Sequence, residues 1–117
     1  EIVSTALKAN LSPLLLGWFV AALIRLATGS ATVAMATACS IVAPIAATAG
    51  VAVRPELLVL ATGSGSLVFS HVNDAGFWLI KEYFGMTVGQ TLKTWSVLET
   101  IISVLGLSFT LLLSTIL

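Results

Sequence analysis

Charged side chains are scarce in this chain of 117 residues, where five Lys or Arg and five Asp or Glu together make up 9%. A soluble domain usually carries about 25% charged residues on its surface. Hydrophobic residues account for 58%, the mean hydropathy is +1.11, and the apolar residues extend from end to end. The composition excludes an ordinary soluble domain and predicts an integral membrane protein.

Other features that the sequence lacks exclude several classes of function. Cys39 is the single cysteine, which excludes an internal disulfide and a cysteine metal cluster. A net charge of zero gives no indication of a nucleic-acid partner. Metalloprotease, Walker and dinucleotide-binding motifs do not occur, so we expect no cofactor and no metal. The chain lacks an initiator Met, and we interpret residues 1–117 as the C-terminal segment of a larger protein.

One segment has the length of a full membrane span. Roughly 20 apolar residues are needed to cross about 30 Å of hydrocarbon, and residues 94–117 meet that need with Glu99 as the only charged residue after Trp95. Trp95 suits an anchor at the membrane interface. A capping box from Thr87 to Gln90 predicts a short interfacial helix just before this span.

Residues 13–47 contain two apolar limbs that are each too short to span. They are separated by a polar stretch, residues 28–32, which we call the hairpin tip. Such limbs predict a re-entrant helical hairpin, with Ala34/Ala38 and Ala36/Ser40 providing the small residues that allow close helix packing. The alternative is one long tilted helix bent at Gly29.

Residues 56–84 predict a transmembrane helix that is interrupted at mid-membrane. The interruption contains the polar cluster, residues 70–74 with the sequence SHVND. The pentapeptide LATGS occurs at 26–30 and again at 60–64, which we interpret as two similar polar breaks. Transporters build substrate and ion sites from interrupted helices of this kind.

Polar residues at these two places are the candidate site. In the polar cluster, His71 and Asn73 are expected to bind substrate, while Asp74 or His71 exchanges a proton, since ionisable groups within a membrane are functional by default. The structural alternatives are a packing histidine and an N-cap for the next helix, a role that suits both Asn73 and Asp74.

The hairpin tip supplies further substrate candidates, namely Gly29, Ser30 and Thr32, and Ser64 is a weaker one. Their hydroxyls and helix-terminal amides suit an anionic, hydroxyl-rich ligand, although turn residues of this type also satisfy free backbone groups. Arg25 is expected to snorkel or to pair with a carboxylate elsewhere, and Glu99 to snorkel or to hydrogen-bond between helices.

A membrane hydrolase is an alternative from another class. Ser64, Ser66, His71 and Asp74 provide the residue types of a catalytic triad. The nucleophile-elbow sequence G-x-S-x-G is absent around Ser64, however. We therefore expect no enzyme activity.

Residues 70–85, SHVNDAGFWLIKEYFG, resemble the C-terminal signature of the bacterial gluconate permease family, and the segments QTLKTWS at 90–96 and ETIIS at 99–103 strengthen the resemblance. The resemblance implies an all-α ion-transporter-type fold of two inverted repeats, each with a re-entrant hairpin and a broken helix. It also implies proton symport of gluconate, of a related sugar acid such as idonate or fructuronate, or of D-serine.

The resemblance also implies which partners the chain has and which membrane it occupies. Its partners would be the sugar-acid anion, a proton, the lipid bilayer and the first inverted repeat, with a homo-oligomer left open. We expect a multi-pass protein of the bacterial inner membrane, and the lysines at 81 and 93 favour a periplasmic C-terminus. The competing interpretation is a membrane assembly element without a transport site of its own.

Overall fold

The computed structural model describes residues 13–48 and 55–116, without the side chains of residues 45–48. These residues form helices and connections and contain no strand, which confirms the all-α class. The helices are α1 (Pro13–Thr28), α2 (Ala31–Thr48), α3 (Pro55–Gly65), α4 (Ala75–Phe84), α5 (Val88–Thr91) and α6 (Val97–Ile116), with a π-helical segment (Leu92–Ser96) between α5 and α6. Residues 1–12 and the predicted end of the last span at Leu117 lie outside the described residues.

Helices α1 and α2 pack side by side as a hairpin, so they are not one long bent helix. The turn is possible because Gly29 adopts the left-handed conformation, with φ of 72°. Ser30 then starts α2, since its hydroxyl accepts the Val33 amide at 3.2 Å. Ala34 and Ala38 are fully buried in α2, as their spacing predicts. Ala36 and Ser40 lie on the exposed side of α2, so they do not make such a contact among the described residues.

The core lies where α1, α2 and α3 meet. A cluster of buried apolar residues occupies it, namely Leu14, Val42, Leu57, Leu58 and Ala61. A polar contact crosses the same interface, because the Cys39 sulfur lies 3.0 Å from the Thr62 hydroxyl. Helix α3 also packs against α6. The three shorter helices and the last helix therefore hold one another in place.

Gly65 allows α1 and α3 to approach closely. A Cβ added to Gly65 would collide with the backbone of Trp18, whereas one added to Gly63 would meet only the flexible end of Met35, at 3.7 Å. We expect Gly65→Ala to destabilise the protein by about 1–3 kcal/mol through overpacking. Gly63→Ala should be neutral or stabilise it by up to ~1 kcal/mol through helix propensity. Thermal unfolding of the two variants measures the difference, and equal midpoints would contradict this packing.

The second LATGS segment is not a break, so that prediction is wrong. Residues 60–64 lie inside α3, where the hydroxyls are satisfied by the helix itself: Thr62 donates to the Leu58 carbonyl at 2.9 Å and Ser64 to the Leu60 carbonyl at 2.7 Å. The chain leaves the helix only after Gly65. We call residues 66–74, between α3 and α4, the helix break.

The last helix is longer than the sequence predicts. The capping box is confirmed: the Thr87 hydroxyl accepts the Gln90 amide at 3.1 Å and the Gln90 side chain accepts the Thr87 amide at 3.0 Å. The helix that begins there does not end as a separate interfacial helix. It continues through the π-helical segment into α6, giving one apolar helix, Val88–Ile116, with the length and composition of a membrane span.

Candidate functional site

The end of α1 and the hairpin tip both contact the helix break directly. His71 Nε2 lies 3.2 Å from the carbonyl oxygen of Leu26, and the Asn73 side-chain amide donates to the same oxygen at 3.1 Å. Gly29 packs so closely on Asn73 that an added Cβ would overlap the Asn73 backbone. The two unwound regions of the chain therefore form a single polar centre.

The end of α1 explains why these side chains meet it. The last carbonyls of a helix have no partner within the helix and must find donors elsewhere. At the end of α1, His71 and Asn73 supply the donors. Because a carbonyl oxygen can only accept, a hydrogen bond between His71 and Leu26 requires Nε2 to be the donor.

Arg25 is buried between the hairpin tip and the helix break and contacts both. It is 3% exposed, and its guanidinium makes three interactions: Nη2 with Asp74 Oδ2 at 2.7 Å, Nη1 with the Gly29 carbonyl at 2.9 Å, and Nε with the Val68 carbonyl at 3.4 Å. The planar guanidinium suits such a fixed set of acceptors. Arg25 thus pairs with a carboxylate, which is one of the two roles considered for it from the sequence, and it does not snorkel. Each of its three guanidinium nitrogens contacts an acceptor within the protein.

Asp74 is held by several donors at once. Its Oδ2 accepts from Arg25 and, at 2.5 Å, from the Ser70 hydroxyl, and its Oδ1 accepts the Gly76 amide at 2.9 Å. The last contact makes Asp74 the N-cap of α4, which is the structural role considered for it. The carboxylate therefore starts α4 and binds α1 at the same time.

The start of the last helix also contacts the helix break, in addition to the contacts made by α1. The Ser96 hydroxyl donates to the Ser70 carbonyl, and the Thr100 hydroxyl accepts the Phe69 amide at 3.2 Å. Phe69 itself has a positive φ of 34°, an uncommon conformation for a bulky residue. Strained backbone of this kind occurs at functional sites, where surrounding contacts hold it in place.

The remaining predicted residues fall in different places. Ser30 begins α2 beside the polar centre, and Thr32 is exposed two residues further on, lining an open groove of about 410 Å³ together with Ser66. Ser64 faces the last helix, where it occupies the space next to Gly106. The structure therefore places Gly29, Ser30, His71, Asn73 and Asp74 at the polar centre, and it places Ser64 at a helix contact.

Sequence reasoning did not assign a site role to the residues that connect the predicted ones, namely Arg25, Ser70 and Ser96. The sequence does carry one signal for Arg25, because a charge in an apolar helix needs a partner and Asp74 is one of few acids available. Ser70 and Ser96 carry no such signal. Their hydrogen bonds depend on how the last helix packs on the helix break.

Interrupted helices whose unwound ends face a neighbouring segment occur in the substrate and ion sites of membrane carriers. Residues 1–116 match the family described as GntP family permease. The chain belongs to this family.

Curated relatives agree with this assignment. The chain is 59% identical to the high-affinity gluconate transporter of Escherichia coli (strain K12) over 115 residues, which are 98% of this chain and 26% of that protein. It is 61% identical to the gluconate permease of Pseudomonas aeruginosa over 112 residues (96% and 25%), and 55% identical to the Gnt-II system L-idonate transporter of Escherichia coli (strain K12) over 108 residues (92% and 24%).

The chain spans about a quarter of the length of these relatives. They are named as transporters and permeases and not as enzymes, in agreement with the expectation from the sequence. Together with the long apolar helix, the family indicates a membrane protein. No solved structure matches the chain.

Proposed function

We propose that this chain forms one half of the substrate site in a longer secondary transporter that carries gluconate, or a related sugar acid, together with protons. The observation that supports this proposal is the direct contact of the end of α1 and the hairpin tip with the polar cluster, made by Leu26 and Gly29 on one side and by His71 and Asn73 on the other. In the proposed carrier, the hairpin re-enters the membrane from one side and α3 with α4 forms a broken transmembrane helix. The first inverted repeat supplies the opposite wall.

The substrate class follows from the groups around the polar centre. The start of α2 offers backbone amides and the positive end of a helix dipole to a carboxylate. Thr32 and Ser66 line the adjoining groove, whose volume lies within the range of small-molecule sites, about 300–1,000 Å³. These amides and two hydroxyls would hold the carboxylate end of a polyol acid, while the rest of the groove is lined by Ala31, Met35, Ala36 and Cys39. The names of the relatives, gluconate and L-idonate carriers, support the same class.

His71 is the better placed of the two proposed proton-exchanging groups. Asp74 already accepts hydrogen bonds on both oxygens, from Arg25, Ser70 and Gly76. His71 makes its contact to α1 through Nε2 and retains Nδ1 for a proton. In this proposal, protonation of His71 accompanies substrate binding, and Asp74 keeps the two regions in register.

Uptake by the carrier that contains this chain tests the proposed function. Membrane vesicles with an acidic exterior should accumulate radiolabelled gluconate, and a protonophore should abolish the accumulation. Unlabelled L-idonate should compete and D-serine should not if the site selects polyol carboxylates. Uptake that persists after the proton gradient collapses would contradict proton symport, and a wild-type carrier that transports no sugar acid would contradict the function as a whole.

His71→Ala should uncouple transport from the proton gradient. We expect the variant to exchange internal for external gluconate but to lose accumulation driven by an acidic exterior, since Nδ1 no longer carries the proton. Val72→Ala is the matched control, because Val72 is 53% exposed and adjacent to His71. Asp74→Asn should lower both exchange and accumulation, because it weakens the contact between the two regions. Unchanged coupling in both variants would remove His71 and Asp74 from the mechanism.

A further inference from the structure

The buried face of the last helix carries polar atoms without partners. Among the described residues, Trp95 Nε1, Glu99 Oε2 and Ser103 Oγ are buried and have no hydrogen-bond partner. The three residues follow one another at intervals of four, so they lie on successive turns of one helix face. Glu99 is 9% exposed and Ser103 is completely buried. Buried polar atoms are normally hydrogen-bonded, so a group of three requires an explanation.

The described helices already cover Glu99 Oε2, so a donor from another part of the carrier reaches this oxygen only by displacing a helix. An ionised carboxylate without a donor in this position would be far less stable than the neutral acid. A proton bound to the Glu99 carboxyl removes this unpaired charge, whereas it supplies no acceptor for the Trp95 indole N–H.

The charges around Glu99 support the same ligand. Helix α1 contributes Arg25 and the helix break contributes Asp74, and both act electrostatically on Glu99. The charged residue of α3, Glu56, lies exposed in the first turn of its helix, and Lys93 of the π-helical segment is also exposed. One guanidinium beside two ionised carboxylates would leave a net negative charge in apolar surroundings. The group of three is neutral only when one carboxyl carries a proton.

The hydrogen bonds decide which carboxyl that is. Asp74 accepts three donors, one of them the Arg25 guanidinium. Glu99 Oε2 accepts none. We propose that Glu99 is a proton-binding site, distinct from His71, that is held as a neutral carboxylic acid while Arg25 pairs with Asp74.

This site deepens the proposed proton symport and rests on it for its role in coupling. When the hairpin tip and the helix break separate during transport, Arg25 loses Asp74 as its partner. The O–H bond of Glu99 then breaks, its electron pair stays on the carboxylate, and the proton passes to water. The ionised Glu99 becomes the counter-ion of Arg25. Glu99 itself binds and releases one proton in each cycle, in addition to the proton assigned to His71.

Infrared difference spectroscopy of the full-length carrier tests the site without any transport measurement. The spectrum of the wild type minus that of Glu99→Gln should contain the carbonyl stretch of a protonated carboxylic acid, which shifts in deuterium oxide. Glu56→Gln is the matched control, and its difference spectrum should contain ionised carboxylate bands. Carboxylate bands in the Glu99→Gln difference would overturn the proposal.

Stability and transport of the same variants complete the test. Glutamine mimics the neutral acid, so Glu99→Gln should unfold at the wild-type temperature, and a variant that fails to fold would overturn the proposal. Glu99→Gln should also lose gluconate accumulation above the external concentration, while Glu56→Gln keeps it. Accumulation equal to that of the wild type would overturn the coupling role of Glu99. A wild-type carrier that transports no sugar acid would instead contradict the proposed function, and the infrared result would remain.

Discussion

Arg25→Gln is expected to destabilise the carrier by about 3–5 kcal/mol, because it leaves the Asp74 carboxylate without its cation in a largely buried position. The side chains of Arg25 and Asp74 are 4% and 15% exposed, so water replaces the lost partner poorly. The variant also loses the contacts from Arg25 to the carbonyls of Gly29 and Val68. Gluconate uptake should fall with stability, since the same residue joins the hairpin tip to the helix break.

A double-mutant cycle separates the ion pair from a general loss of packing. Asp74→Asn alone leaves Arg25 buried without an anion and should be destabilising as well. The double variant Arg25→Gln/Asp74→Asn contains no unpaired charge, so it should be more stable than either single variant. Thermal unfolding of the four proteins measures the coupling. Losses that simply add would show that Arg25 and Asp74 do not interact.

Gly29→Ala is expected to abolish gluconate uptake. Gly29 has a φ of 72°, which an alanine adopts at a cost of about 1 kcal/mol. The added methyl group would also overlap the Asn73 backbone, so the hairpin tip must move away from the helix break. Overpacking of this kind adds about 1–3 kcal/mol, and it acts on the contact that forms the site.

Gly85→Ala is the matched control for this prediction. Gly85 ends α4 with a φ of 63°, close to that of Gly29, but a Cβ added to it would meet nothing within 4 Å. Gly85→Ala therefore carries the backbone strain without the collision. It should lower the unfolding temperature slightly and retain most of the uptake. Equal transport by the two alanine variants would show that the close contact of Gly29 with the Asn73 backbone does not matter for function.

The helical hairpin could be predicted because its determinants are local. Gly29 and Ser30 interrupt two apolar stretches, and a glycine with a helix-starting serine reverses the chain with few other requirements. The capping box at Thr87 and Gln90 is local in the same way. The second LATGS segment is the instructive exception. Its hydroxyls bond to carbonyls of α3 itself, and α1 and α6 pack around that helix, which the sequence of the segment alone does not specify.

Most residues of the polar centre could be predicted from the sequence. The contacts between them could not. His71, Asn73 and Asp74 stand out because polar residues are rare in so apolar a chain. Which helix they contact depends on the tertiary fold, and the sequence alone does not assign Arg25 to Asp74 or Ser96 to Ser70. The continuity of the last helix through the π-helical segment also depends on the tertiary fold, so the sequence alone does not predict it.

Cross-linking of the end of α1 to the helix break tests the central claim most directly. The Asn73 side-chain amide lies 3.5 Å from the backbone carbonyl oxygen of Ala27, so Ala27→Cys and Asn73→Cys, in a carrier free of other cysteines, lie within reach of a short bifunctional thiol reagent. Tyr83→Cys replaces Asn73→Cys in the control pair, because Tyr83 lies about 12 Å beyond the start of α4. The reagent should join 27 to 73 rapidly in the membrane and leave 27 and 83 unjoined, and gluconate should change the rate. A pair at 27 and 73 that stays unjoined, although both thiols react with a monofunctional alkylating reagent, would contradict the account.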